Sequence, residues 1–475
     1  MKKVIILLLI LMMIVSCGGN TSDEVNDTTT RPDETTEDTT FKLPEYNFDG
    51  YKYNILTAAE QWAHYYVAES ENGDIINDAV YARNSAVEEM YNVTLNYQVF
   101  NGYGAGMPAV ATALKGAVLS GTDEFDLVIS GTVYISGHIL DGLFMDMNTI
   151  DTIDLANPWW YKKVNDELII ANKAYTVVGE YSLMAITNSW CVYFNSALIK
   201  DFELENPYVL VNNGKWTFDK MIEMGMSVCA DLNGNGKPDE EDRFGLLTGV
   251  SEAFYAMRYA MGSTITNIGS DGYPILVGAS EKTVTVFDKL KALNNNKEFL
   301  YNYKNSLYVE QIPIFVGGQA LFYSYPIKAT ENAVMRNFED YGIIPQPKLD
   351  EAQEEYYALC LGDGYQIPAV VNDADMSGAV LETLNWESYM NVTSRYYDVA
   401  LQGKFTRDNE SAAMLDLIRA NSIMDFGALY YSALDPNLMY IHNIFNREYT
   451  SWWQGIETSV QKKLDNIIEQ MKAIS

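Results

Sequence analysis

The sequence predicts an α/β protein built as two lobes. Two observations carry this expectation. Roughly 430 residues from Pro44 onward read as globular, more than one hydrophobic core usually serves. The first part of that stretch alternates strand and helix, the pattern of a lobe with a largely parallel sheet.

Residues 51–57 (YKYNILT) read as the first strand. Residues 76–90 follow as a helix, with Ile76, Val80, Val87 and Met90 at helical spacing. Val93, Leu95, Tyr97 and Val99 alternate as in a half-buried strand. Residues 108–119 read as a second helix with Pro108 near its first turn. Residues 125–130 (FDLVIS) form a compact apolar strand. In such sheets ligands gather beyond the carboxyl ends of the strands, and Ser130-Gly131-Thr132-Val133-Tyr134 leaves such an end.

Farther on, residues 168–179 read as two short strands around Asn172-Lys173, and 191–195 (CVYFN) as a strand. Residues 217–230 are a helix with Thr217 as N-cap. Strands are expected at 321–324 and 341–344, and helices at 282–293, 376–389, 409–420 and 457–474. No internal repeat is visible.

The amino terminus is of a different kind. Lys2 and Lys3 precede an apolar run from Val4 to Val15, too short to span a bilayer comfortably. It ends in Ile14-Val15-Ser16-Cys17, which resembles a bacterial lipobox. Residues 1–17 are therefore expected to be a lipoprotein signal peptide ending at a lipidated Cys17. An ordinary signal peptide containing a cysteine is the alternative. Stable anchoring takes more than one acyl chain. Residues 18–44, rich in Gly, Asn, Asp, Glu and Thr, lack the apolar surface to offset their ordering entropy. They are expected to form a disordered tether with a reach on the order of 30 Å. The anchor would place the domain at the cell membrane, facing the extracellular or periplasmic side.

The formal charge is −32, and −34 once Lys2 and Lys3 are removed. So acidic a chain argues against nucleic acid and anionic headgroups as partners, leaving the lipid anchor as the membrane contact. Cys191, Cys229 and Cys360 remain beside Cys17, an odd number that offers no disulfide framework. With no CxxC pair and three scattered His (His64, His138, His442), a zinc site of the usual type is not indicated.

The sharpest local motif runs from Asp231 to Asp242. Oxygen side chains stand at loop positions one (Asp231), three (Asn233), five (Asn235), nine (Asp239) and twelve (Asp242), with Gly236 at six. This is EF-hand spacing, except that Asp242 stands where Glu is usual. Lys237 would add its backbone carbonyl. A structural Ca²⁺ of weak to moderate affinity is expected, and an acidic turn without an ion is the alternative. One loop inside a large domain differs from the tandem pair of a dockerin.

Several stretches carry a family resemblance. Tyr193-Phe194-Asn195 is followed by Leu204-Glu205-Asn206-Pro207 and by Gly214-Lys215-Trp216-Thr217-Phe218. Phe125-Asp126-Leu127-Val128, Phe315-Val316-Gly317-Gly318-Gln319-Ala320-Leu321-Phe322 and Tyr341-Gly342-Ile343-Ile344-Pro345-Gln346-Pro347-Lys348 add to them. In order and spacing these resemble the family 1 extracellular solute-binding proteins, over most of the chain from Pro44 to Ser475. The loop ending in Phe244-Gly245-Leu246 looks like one in Gram-positive members.

The resemblance implies a two-lobed, periplasmic-binding-protein-like (type II) fold, with hinge strands and a ligand cleft between the lobes. Residues 45–182 with 343–403 would form the first lobe, and 183–342 with 404–475 the second. Crossings are expected near 178–187 and 341–346. Function would be capture of a carbohydrate, most simply an oligosaccharide, by lobe closure, and its delivery by a monomer to an ABC importer permease.

Sugars bind through aromatic platforms and convergent hydrogen bonds. By position against the family pattern, the ligand candidates are Trp62, Ser130, Thr132, Tyr134, Glu180, Trp190, Tyr323, Tyr325, Asp363 and Tyr365. Core packing is the alternative for each aromatic. Trp159-Trp160 reads as a packing landmark, Trp216 as a helix-entry staple and Trp452-Trp453 as interlobe packing. No GxSxG, HExxH, P-loop or recognisable carboxylate frame points to an enzyme. The remaining rivals are a surface glycan-binding lipoprotein uncoupled from transport, and the same fold holding a peptide or other non-sugar solute.

Overall fold

Asp74 opens the first long helix by accepting hydrogen bonds from the Ile76 and Asn77 amides, and Asn92 ends it in the left-handed region at φ 51°. That helix, Ile75–Tyr91, connects two parallel strands and so sets the α/β character of the first lobe. The structure, a computed structural model, describes residues 45–248, 252–302, 311–400 and 409–474. Cys17 and residues 18–44 lie outside them.

In chain order the strands are β1 (Tyr51–Ala58), β2 (Val93–Phe100), β3 (Leu127–Gly131), β4 (Trp190–Asn195), β5 (Phe244–Thr248), β6 (Thr266–Ile268), β7 (Pro274–Leu276), β8 (Leu300–Asn302), β9 (Ala320–Pro326), β10 (Tyr341–Pro345), β11 (Ala358–Leu359), β12 (Asp363–Gln366) and β13 (Ser422–Ile423). The first sheet has the order β12-β3-β1-β2. Its β1 runs parallel to β2 and β3, and β12 closes the edge antiparallel. The second sheet has the order β10-β4-β9-β5-β8. All residues of β3, β4, β5, β9 and β10 are buried, which explains their continuous apolar runs.

Several expected boundaries move. The second helix spans Tyr103–Ser120, not 108–119, so Pro108 lies inside it. Gly102, at φ 81°, makes the early start possible. Residues 168–179 form no strand pair. Ala171 and Asn172 take positive φ in a tight turn, and only an isolated bridge joins Ile170 to Lys173. Thr217 does cap its helix, accepting from the Lys220 amide, but the helix ends at Met226. The last helix, Tyr449–Ala473, begins earlier than residue 457 and takes in Trp452 and Trp453. It packs against Glu281–Asn295 of the second lobe and Thr132–Leu140 of the first.

The second crossing also moves. Residues 341–345 form β10, an edge strand of the second sheet paired with β4, so the second lobe extends beyond 342. The return path runs through β11, which pairs with β13, and reaches the first sheet at β12. The first crossing follows Gly179. A side chain there would place a Cβ 2.2 Å from Asn385 Oδ1 and 2.7 Å from the Trp160 ring, so only glycine fits.

Trp159 and Trp160 are buried, and both indoles donate to one carboxylate. Glu382 accepts Trp159 Nε1 at 2.7 Å, Trp160 Nε1 at 3.0 Å and Asn157 Nδ2 at 2.8 Å. Cys191, Cys229 and Cys360 form no disulfide among the described residues, and burial pushes the Cys360 thiol up to about 12. Glu382→Gln keeps the shape but turns an acceptor into a donor facing these N–H groups. It is expected to cost about 1–3 kcal/mol, measured by urea unfolding. An unchanged midpoint would show that the carboxylate does not hold the Trp pair.

Candidate functional site

The parallel strands β1, β2 and β3 deliver their carboxyl ends to one side of a cavity of ≈ 500 Å³. Trp62 stands in the 3-10 turn after β1. After β2 the helix Tyr103–Ser120 begins at the cavity, and its early start brings Tyr103, Gly104 and Ala105 into the wall. After β3 come Thr132, Val133 and Tyr134. Tyr103 meets Tyr134 edge-on, with centroids 5.8 Å apart. Gly131 permits this, since a Cβ there would come within 2.6 Å of Tyr103 Oη.

The facing wall comes from the crossing and the second lobe. Asn188 and Trp190 follow the crossing, Glu252 and Tyr255 follow β5, and Lys328 follows β9. Tyr431, Met439 and Tyr440 arrive from the carboxyl-terminal region. Four rings stand nearly perpendicular in series. Trp190 meets Tyr255 at 6.4 Å and 72°, Tyr255 meets Tyr440 at 5.8 Å and 67°, and Tyr440 meets Tyr431 at 5.5 Å and 85°. Lys328 Nζ lies 4.7 Å from the Trp62 centroid and donates to Asn188 Oδ1 at 2.9 Å. Burial lowers its ammonium to about 8 and raises the Glu252 carboxyl above its usual range.

Solved structures share this architecture. A sugar transporter protein from Rhizobium etli, in an open conformation, has a TM-score of 0.59 at 14% identity, covering 89% of this chain and 100% of the other. The sugar-binding protein MalE from Xanthomonas citri has 0.56 at 12%, covering 89% and 98%. Maltose-bound MalE3 from T. maritima has 0.52 at 13%, covering 90% and 100%. The fold is that of the two-lobed solute-binding proteins. No family model matches the sequence, and no curated protein matches it.

Within this binding-protein fold, Trp62, Thr132, Tyr134 and Trp190 meet in the cavity wall. The other six ligand candidates stand elsewhere. Ser130 is buried and donates to Gln366 Oε1 at 3.0 Å. Glu180, 1% exposed, pairs with Arg419 and accepts from Thr393 Oγ1. Tyr323 and Tyr325 lie on one face of β9, stacked on each other at 5.4 Å inside the second lobe. Tyr325 backs Trp190 at 6.0 Å without reaching the cavity. Tyr365 Oη accepts the Ser182 amide at 2.7 Å and donates to the Gly179 carbonyl at 3.0 Å. Asp363 accepts Ser182 Oγ at 2.6 Å and Tyr103 Oη at 2.9 Å, so it holds a wall residue from behind.

Of the wall residues missed in the sequence, Tyr103 had a usable signal, because it follows a strand end as Tyr134 does. Asn188, Glu252, Tyr255, Lys328, Tyr431 and Tyr440 had none, because separate segments bring them together.

The Asp231–Asp242 loop lies apart from this cavity. The bridge between Ala230 and Arg243 closes it. Asp231 accepts the Gly234 and Gly236 amides at 2.7 and 2.8 Å, Asn233 that of Asn235 at 3.0 Å, and Asn235 that of Lys237 at 2.7 Å. Asp239 accepts the Glu241 amide at 3.0 Å, and buried Asp242 those of Leu232 and Asp239, each at 3.0 Å. Gly236 takes φ 69°, as the sharp turn requires. The side-chain oxygens at the five loop positions are the donor chemistry of a hard cation. They are not gathered, for Asn233 and Asn235 turn their amide nitrogens to Asp239. Among the described residues no group of three or more His, Cys, Asp or Glu stands where it could hold a metal ion.

Burial pushes the Asp363 carboxyl up to about 6, against the pull of Ser182 and Tyr103. A carboxyl raised in the folded state favours folding while protonated. That contribution is complete below the ordinary Asp range and is lost as pH rises through about 6. Asp363→Asn, which cannot ionise, is expected to remove roughly 2–3 kcal/mol of pH dependence between about pH 4 and 6. Urea midpoints across that range measure it, and an unchanged slope would assign the titration to another group.

Proposed function

We propose that this chain captures a carbohydrate between its lobes, without turnover, and hands it to an ABC importer permease. The carrying observation is the cavity at the carboxyl ends of β1, β2 and β3, walled by Trp62, Tyr103, Tyr134, Trp190, Tyr255 and Tyr440. Aromatic faces suit the C–H faces of a pyranose. Asn188, Glu252 and Lys328 supply polar groups that would fix orientation. The fold supports the reading, and so do the sugars named for the neighbouring structures. The cavity's ≈ 500 Å³ lies within the ordinary range of small-molecule sites and leaves room for more than one ring. In this reading a lipidated Cys17 tethers the receptor outside the cell. No helix among the described residues is long and apolar enough to cross a membrane.

A carbohydrate panel read by thermal shift is expected to raise the melting temperature by several degrees for its ligand. Trp62→Ala is expected to weaken that ligand about tenfold with little change in the free protein's melting temperature. Shifts with peptides and none with any sugar would overturn the carbohydrate reading.

We also propose that Asp231, Asn233, Asn235, Asp239 and Asp242, with the Lys237 carbonyl, hold a structural Ca²⁺. Support comes from the oxygen-only donor set and the left-handed glycine at position six. Binding would require the Asn233 and Asn235 amides to turn their oxygens inward. Removing Ca²⁺ with a chelator is expected to lower the melting temperature, and adding it back to restore it. No change on chelation, with no calcium in metal analysis, would remove the ion.

A further inference from the structure

Among the described residues lining the cavity, Lys328 is the one cation and Glu252 the one carboxylate. The placement of Lys328 is specific. The β9 strand ends at Pro326, and the Ile327 amide donates to the Ser189 carbonyl at 3.0 Å, which fixes the next residue against the cavity. The half-buried Lys328 ammonium then lies over Trp62, with Asn188 Oδ1 accepting one of its hydrogens. It thus spans the two walls, touching a first-lobe ring from a second-lobe turn. Glu331, on the same turn, attracts it but does not line the cavity, and it accepts the Tyr65 and Tyr396 hydroxyls at 2.7 and 3.0 Å. The helices Tyr103–Ser120 and Thr132–Leu140 also begin at this cavity, after Gly102 and Gly131, with no side-chain cap. Their positive ends add to the charge of Lys328.

Resting on the reading of the cavity as a carbohydrate site, we infer that its solute is an anionic carbohydrate, a uronate or a sugar phosphate, whose acidic group pairs with Lys328. A neutral sugar would need only a hydrogen bond from this position, which an amide supplies without a desolvated charge. Burial lowers the ammonium to about 8 in the free protein. An anion in contact would reverse that shift, so binding near pH 8 takes up a fraction of a proton. Affinity for the acidic solute is steady below about pH 8 and falls as pH rises through it. Trp62 from the 3-10 turn and Asn188 from the crossing touch the ammonium, and Glu331, which accepts the Tyr65 and Tyr396 hydroxyls, acts on it electrostatically.

Isothermal titration of the purified chain tests this with matched pairs: glucose and galactose oligomers, the corresponding oligouronates, and hexose phosphates. An acidic ligand is expected to bind at least about tenfold tighter than its neutral counterpart. Its binding enthalpy at pH 8 is expected to vary with buffer ionisation enthalpy. Lys328→Met is expected to abolish both the preference and the proton uptake, and Lys328→Arg to retain the preference and lose the uptake. The oligouronate and hexose-phosphate arms tell the two anions apart. Neutral sugars binding as tightly as acidic ones would overturn the inference while leaving carbohydrate capture standing. Binding of other solutes with no carbohydrate bound, neutral or acidic, would overturn both. Should Lys328→Met fail to fold, the buffer dependence of the unsubstituted protein decides alone, and its absence with a bound acidic ligand overturns the pairing.

Discussion

The structure depends on how residues 179–182 are tied down where the chain leaves the first sheet. Arg83, fully buried, donates to the Tyr181 carbonyl at 2.7 Å and the Tyr66 carbonyl at 3.2 Å, with its guanidinium 4.6 Å from the Tyr181 ring. Asn385 Oδ1 accepts the Tyr181 amide at 2.9 Å, and Tyr365 holds Gly179 and Ser182 from the other side. Glu180 pairs with Arg419 on the helix Asn409–Ala420. A buried charge is tolerated only when hydrogen-bonded or paired, and losing one partner strands the other. These contacts therefore stand or fall together, and they fasten the crossing to the first lobe on one side and to the carboxyl-terminal region on the other.

The cavity inherits its shape from that fastening. Ser182 donates to Asp363, and Asp363 accepts from Tyr103, so a chain of two hydrogen bonds links the crossing to a ring in the wall. On the far side Asn188, six residues after Ser182, receives Lys328. The crossing thus orients one group on each wall. Glu180, Asp363 and Tyr365 are ligand candidates by their position against the family pattern, and they are polar or aromatic. Their chemistry serves the crossing instead: every acceptor or hydroxyl described for them is directed at backbone or side chains within the protein.

Much of the first lobe was legible because its signals are local. Alternation from Val93 to Val99, the helical spacing of Ile76, Val80, Val87 and Met90, and the compact apolar strand read at 125–130 each act within a few residues. The rule that ligands meet strand ends found Thr132 and Tyr134, and Trp62 with them. It stops short of Tyr103 because the sequence places Pro108 near the first turn of that helix, whereas the helix begins at Tyr103, directly after Gly102 at φ 81°. The facing wall was illegible for a different reason. Tyr255, Lys328 and Tyr440 lie in three segments with no shared spacing, and only the second sheet and the carboxyl-terminal region bring them together. Tyr323 and Tyr325 show the converse limit. A strand's two-residue period places both on one face, but not on which side of the sheet the cleft will open.

The net charge of −32 narrows partners without deciding the ligand. Exposed charges are screened over about 8 Å at physiological ionic strength, so most of the acidic surface contributes little inside a cleft. A charge lining the cavity acts at contact and in a lower dielectric, where it outweighs many distant ones. Lys328 lies in that position, with an aromatic face beneath it and helix starts on the opposing wall. A strongly negative chain and a cation in the wall of its pocket are therefore compatible. In the proposed role, the charge of the chain disfavours anionic surfaces as partners, while selection among small solutes falls to the few groups a bound molecule can touch.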